Sequence, residues 1–358
     1  MFYSLIPIII LSILIVAHEF GHFIVARRVG VRVETFSLGF GPKLCAIKRG
    51  DTTYQICLIP LGGYIKMAGD SREEYAGKKY EYLAKKPEDR AKIVVSGALL
   101  NYLLGFFCFA AALIFSFTDY TASVGEVLSG YPAESAGILP GDRIVSIDGK
   151  NIYFWAEMLD IIYDKDGQPA DIKLLRGNMP LSLKVPTKIK EFDTEKGKIG
   201  ISLIGIKPGQ KSYNNKYGFF AAAKEYWGLT LYTYKMFGSI ITGKKSFKQS
   251  VAGPIGIFTI TKDKAKRGLG ELLFVVALLN LSLGIFNLLP FPVLDGGHVL
   301  FLCIEKIRGR PLKRKIEESF ERVGFSLLIL LAVFVTYNDI INFGLWDKLS
   351  HWLKNFIN

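Results

Sequence analysis

Four runs of apolar residues, each long enough to cross a bilayer, constrain this chain more than any other feature of it. A helical crossing takes roughly 20 apolar residues. In lipid, only helices and closed barrels satisfy every backbone N–H and C=O group. The runs define expected spans at 1–27, 93–117, 272–298 and 323–343. With half of its 358 residues hydrophobic and clustered rather than periodic, the chain is expected to be a polytopic α-helical membrane protein. The first run has neither a basic start nor a small-residue cleavage site, so it is expected to stay as a span rather than be removed as a signal peptide.

The net charge of +13 would suggest nucleic acid in a soluble protein. Here Lys and Arg flank the spans, which points to orientation and anionic lipid headgroups instead. No nucleic-acid recognition motif is present, and no nucleic-acid partner is expected. The segments 28–92 and 299–322 are both rich in Lys and Arg, and four spans put them on one side, the cytoplasmic one. The region between the second and third spans, the tail 344–358 and the N-terminus then lie outside. Within that region, 206–271 is expected to form interfacial amphipathic helices and a linker; its stretch 217–243 is aromatic-rich but carries Lys224, Glu225 and Lys235, and is expected to lie at the outer interface rather than make a fifth span. The four cysteines, Cys45, Cys57, Cys108 and Cys303, form no CxxC pair and read as free thiols.

The chemistry sits in the first span, at His18-Glu19-Phe20-Gly21-His22. Histidines four apart on a helix project from nearly one face and can hold one metal. Glu19 is offset enough to miss the metal and reach a water activated beside it, the position of a general base. Charged groups inside an apolar span cost roughly 2.5–3.5 kcal/mol each on insertion scales, so they call for a partner. Zinc needs a third protein ligand. Two prolines and a Gly pair break the third span at 287–298, and irregular backbone at membrane depth must line protein or a cavity. Asp295 lies in that break and is the preferred third ligand, with His298 the other candidate.

An HExxH in the first span together with Asn287-Leu-Leu-Pro-Phe-Pro-Val-Leu-Asp295-Gly-Gly at the end of the third resembles the site-2 protease family of intramembrane zinc proteases. The layout is similar to the bacterial regulator-of-sigma-E branch. Gly39-Phe-Gly-Pro42, Leu61-Gly-Gly-Tyr64 and Gly253-Pro-Ile-Gly256 match further motifs of that family. The resemblance implies that His18, His22 and Asp295 bind Zn2+, that Glu19 is catalytic, and that Asn287 helps hold substrate near the metal. It also implies a bacterial inner-membrane enzyme, with its active site toward the cytoplasm. Its substrates would be single-span membrane proteins already trimmed on the outer side, such as an anti-sigma factor or a remnant signal peptide.

Two accessory regions are expected. Residues 44–58 read as a hairpin around Gly50-Asp51, partly apolar, that dips into the membrane from the cytoplasmic side and pairs its edge with substrate. Residues 121–205 look like one extracytoplasmic PDZ domain, carried by Gly125-Glu-Val-Leu and Pro140-Gly-Asp-Arg-Ile-Val-Ser-Ile-Asp148-Gly149, with a small helix at 133–137. Such a domain binds peptide C-termini, or else acts only as a size filter. The competing functions are a non-catalytic PDZ scaffold, against which the intact Glu19 speaks, and a zinc carrier. A carrier would need ligands along several spans, and the second and fourth offer none.

Overall fold

The computed structural model describes residues 2–115, 117–118, 121–165, 167–187, 204–211, 218–243 and 251–342. The expected tail at 344–358, and His351 within it, lie outside them. The chain divides into two compact units, one of residues 1–112 and 216–358, the other of residues 113–215.

In the first unit, four helices are long and apolar enough to cross a membrane. These are α1 (Phe2–Arg28), α2 (Pro87–Phe115), α7 (Leu269–Asn287) and the greater part of α9 (Arg314–Asn342). Hydropathy alone starts the second span at 93, yet α2 begins six residues earlier. Pro87 needs no hydrogen-bond acceptor for a first-turn N–H, and Glu88 and Asp89 complement the helix N-terminus. Likewise α9 begins nine residues before the expected 323, with charged first turns leading into the apolar run.

The expected third span, 272–298, is not one element. Helix α7 stops at Asn287, and α8 (Asp295–Arg308) starts afresh at the aspartate. Pro290 and Pro292 cannot donate backbone hydrogen bonds. Between them and α8, Val293 takes φ 78°, a left-handed conformation rare for a β-branched residue. Helix α6 (Pro254–Arg267) precedes α7 and joins it through Gly268, whose φ of 130° favours glycine.

Of the stretch 217–243, expected as interfacial helices, the described residues form one helix, α5 (Gly218–Ile241), which is not among the four span candidates. It lies along α2 through Tyr226, which is 2% exposed and whose hydroxyl donates to the Tyr102 carbonyl at 3.1 Å. Near its end, Phe237 packs edge-on against Phe286 of α7, with ring centroids 4.2 Å apart.

The expected hairpin is the outer part of a larger sheet. Strands β1 (Val33–Arg49) and β2 (Thr52–Met67) are both long and sharply bent. Residues 52–56 pair with 46–49 across the Gly50-Asp51 turn and, on their other side, with 35–38. Residues 33–38 in turn pair with 63–67. Four short runs therefore lie in the order 63–67, 33–38, 52–57, 43–49. The apolar alternation is too irregular to show the inner pair from sequence, because Gly39, Gly41 and Gly62, all at positive φ, bend the strands between them.

The second unit holds β3 (Phe117–Thr118), β4 (Val124–Val127), α3 (Pro132–Ser135), β5 (Arg143–Ile147), β6 (Lys150–Asn151), α4 (Trp155–Lys165), β7 (Ala170–Arg176), β8 (Met179–Val185), β9 (Ile206–Pro208) and β10 (Gln210–Lys211). A sheet of order β6-β5-β7-β8 and the pair β4-β9 enclose a core that includes Ile138, Ile144, Ile147, Met158, Ile172 and Leu174. The small helix expected at 133–137 is α3.

Asp142, 1% exposed, anchors the turn before β5 by accepting bonds from Arg176 Nε and Nη2, each at 2.8 Å, and from the Leu139 N–H at 2.9 Å. Burial opposes its ionisation, but the guanidinium and the N–H outweigh it and hold the carboxyl below its usual 3.8. A depressed folded value stabilises the fold above 3.8, and that contribution is lost as pH falls through the folded value. Asp142→Ala is expected to cost this unit roughly 2 kcal/mol. Hydrogen exchange of the β5 and β7 amides in the intact chain measures it, and wild type should approach the variant as pH drops below the carboxylate range.

Candidate metal centre

Helix α1 presents His18 and His22 one turn apart, buried at 9% and 8% exposure. Their Nε2 atoms are 3.2 Å apart, with the rings at 89°. Asp295, the first residue of α8, brings its Oδ2 to 3.2 Å from His18 Nε2 and 3.6 Å from His22 Nε2. The three donor atoms lie within 4.8 Å of one another. His298 is not among them. It is exposed and lines a separate cavity of about 550 Å3 with Glu318, Glu321 and Arg322. Of the two third-ligand candidates in the break, the fold brings only Asp295 to the histidines.

The donor set fits a zinc ion. Asp295 Oδ2 is buried and accepts no hydrogen bond from the described residues, although two imidazoles face it. A buried carboxylate without a donor is costly, and a divalent cation between the three groups removes that cost. His22 Nδ1 lies 2.8 Å from the Ile93 carbonyl of α2. That acceptor holds the proton on Nδ1 and leaves the Nε2 lone pair free for a metal, the usual outer-shell arrangement for a ligating histidine.

Room for the cluster comes from two glycines that the sequence reading passed over. A Cβ on Gly97 would stand 2.5 Å from His22 Nε2 and 2.8 Å from His18 Cε1. A Cβ on Gly21 would strike the Ser96 carbonyl. Helices α1 and α2 therefore cross backbone against backbone at the site, as small residues permit in membranes. The available signal was a glycine in each of two apolar runs, one of them inside the HExxH itself.

Glu19 lies against the sheet. Its carboxylate meets the backbone N–H of Ile65, and its Cγ would lie 3.6 Å from a Cβ on Gly63. The strand beside the catalytic candidate is thus 63–67, outside the hairpin 44–58 whose edge is expected to pair with substrate. A groove of about 420 Å3 runs between α1 and the sheet, lined by Ile13, Val16, Phe20, Leu38, Ile56 and Pro60 among others. Asn287 closes α7, half-buried, with no side-chain hydrogen bond among the described residues.

The profile of peptidase family M50 matches residues 6–331 of this chain. The chain belongs to peptidase family M50. It is a zinc metalloprotease of the site-2 protease family, and its cofactor is Zn2+. Among its relatives, a candidate zinc metalloprotease of Agrobacterium fabrum is 33% identical, with 93% of this chain and 94% of that one covered. The zinc metalloprotease RasP of Geobacillus kaustophilus is 28% identical over 94% and 97% of the two chains. Among solved structures, a PDZ domain of an SdrC-like protein from Listeria monocytogenes is 25% identical, covering 26% of this chain and 90% of that one, with a TM-score of 0.21. Membership of M50 sets aside the non-catalytic scaffold.

Proposed function

We propose that this M50 protease cuts single-span membrane proteins within or beside their bilayer segment, using His18, His22 and Asp295 as zinc ligands and Glu19 as general base. One observation carries the reading. His18, Glu19 and His22 lie on α1, a helix of span length and composition, and Asp295 meets the two histidines there from the break that follows a second such helix, α7.

Bound there, zinc polarises the scissile carbonyl and lowers the pKa of the attacking water. The chain's own groups do the rest. Glu19 takes the proton from the water and delivers it to the leaving amine. Ile93 fixes the His22 tautomer. A helical substrate hides its carbonyls in hydrogen bonds, so it must be extended before attack. The run 63–67 beside Glu19 suits an extended segment laid along it as an added strand, and the apolar groove suits that segment's side chains. Asn287, eight residues before the aspartate, steadies the substrate backbone.

The basic segments 28–92 and 299–322 support a cytoplasmic orientation of the metal end in a bacterial inner membrane. Residues 121–205 are read as an extracytoplasmic PDZ domain. It admits substrates whose outer portion has been trimmed, whether by binding a new peptide C-terminus or by excluding bulk.

The test is reconstitution of the full chain in lipid vesicles with a single-span protein bearing a short outer segment. Cleavage is expected with zinc present, none after stripping with a chelator, and recovery on adding zinc back. Mass spectrometry of the products should place the cut inside or next to the apolar segment. Cuts confined to distant soluble loops would refute the intramembrane reading. In the same preparation, Asp295→Asn should lose zinc and His298→Ala should keep it.

A further inference from the structure

The third ligand is held differently from the other two. His18 and His22 sit within α1, packed against Gly97 of α2, whereas Asp295 is the first residue of a 14-residue helix entered through irregular backbone. Leu294 offers no side-chain cap, and Val293 just before it is strained. The near end of α8 is held only by the turn it follows, where Gly296 and Gly297 pack against the carbonyls of Leu288, Leu289 and Phe291. Its far end is fixed.

Glu305, in the last turns of α8, accepts a hydrogen bond from Arg90 Nη2 in the first turn of α2. Both side chains are largely buried, at 16% and 8% exposure. The Arg90 guanidinium also lies 6.0 Å from the ring centroid of Tyr82, itself packed on the Phe23–Ile93 cluster. Next to this pair, Lys306 meets Glu88 at 3.2 Å across the same two helices. One turn beyond Arg90 is Ile93, whose carbonyl orients His22, and one turn further is Gly97, against both imidazoles. The opening turns of α2 therefore touch both halves of the metal centre.

Resting on Asp295 as a zinc ligand, we propose that the Arg90–Glu305 pair is a positioning clip that sets the third ligand: it ties α8 to the same stretch of α2 that orients His22. A helix turns as a rigid body, so a hold on its last turn sets the direction of its first residue. A buried pair beside an aromatic ring resists slippage better than a solvated surface pair does. Arg90 does not touch the reacting atoms and acts only through α8.

The experiment measures zinc affinity of the purified full chain in detergent by competition with a chromogenic chelator. Wild type is compared with the double variant Arg90→Met/Glu305→Met, which leaves no buried unpaired charge, and with the swap Arg90→Glu/Glu305→Arg. The double Met variant is expected to bind zinc about 10–100-fold more weakly, the range for outer-shell groups at metal sites, and to lose kcat more than KM. The swap should recover most of the affinity. Melting of the zinc-free proteins serves as the control, because a pair that merely holds the fold together would lower melting equally with and without zinc. That result, an unchanged zinc affinity in the double Met variant, or a swap as weak as that variant would each overturn the clip. Asp295→Asn runs alongside. If it keeps wild-type zinc, the ligand assignment has failed and the clip falls with it.

Discussion

Glu19→Gln is expected to leave zinc near one per chain while lowering cleavage by about 10²–10⁴-fold, the usual contribution of a positioned general base. Glutamine keeps the size of the side chain and can still meet Ile65, so the strand beside it should stay in place. It cannot accept a proton at neutral pH. Because Glu19 is not one of the three converging donors, removing its charge spares the ligand set. Zinc by elemental analysis and product formation in vesicles, measured on one preparation, check both halves. Loss of zinc together with activity would mean that Glu19 supports the metal rather than the chemistry.

Gly97→Val should empty the site altogether. Even one added carbon would lie within 2.5–2.8 Å of both imidazoles, inside van der Waals contact, and valine adds two more on a stiff χ1. Neither side can yield cheaply. Gly21 already seats α1 against the Ser96 carbonyl, and His22 is tethered to Ile93 on the same face of α2. Separating the helices would break that hydrogen bond and open the crossing, and turning the imidazoles would aim their Nε2 atoms away from Asp295. Zinc is expected to fall to background and cleavage to fall with it, while circular dichroism retains the helical content. Gly97→Ala should give a weaker version of the same loss. Wild-type zinc in the valine variant would show that the α1–α2 crossing opens at little cost.

Much of this was legible beforehand because lipid simplifies the code. With no water to satisfy the backbone, a long apolar run has one outcome, and the four runs correspond to four span-length helices. The HExxH was legible for a related reason: histidine and glutamate in such a run are too costly to keep without a partner. Less visible was anything that depends on two distant segments meeting. The bends at Gly39 and Gly62 hid the inner strands 33–38 and 63–67. Hydropathy also missed the true start of α2, since Pro87, Glu88 and Asp89 are polar punctuation rather than apolar signal. The single helix α5 was obscured by Lys224, Glu225 and Lys235, which break its apolar pattern although Tyr226 is buried.

By itself the sequence determined four runs long and apolar enough to cross a membrane, the residue types of a zinc site, and two candidates for its third ligand. These rest on local properties, hydropathy along a run and the spacing of side chains on one helix, which need no knowledge of where other segments go. The tertiary structure decided that Asp295 and not His298 faces the histidines, that Glu19 sits against strand 63–67, and that Gly97 makes room for the metal. Those outcomes depend on how α8 leaves the broken end of α7 and on how closely α1 approaches α2. Both are set by packing between residues up to some 280 positions apart along the chain, such as His18 and Asp295, a separation that no local pattern encodes.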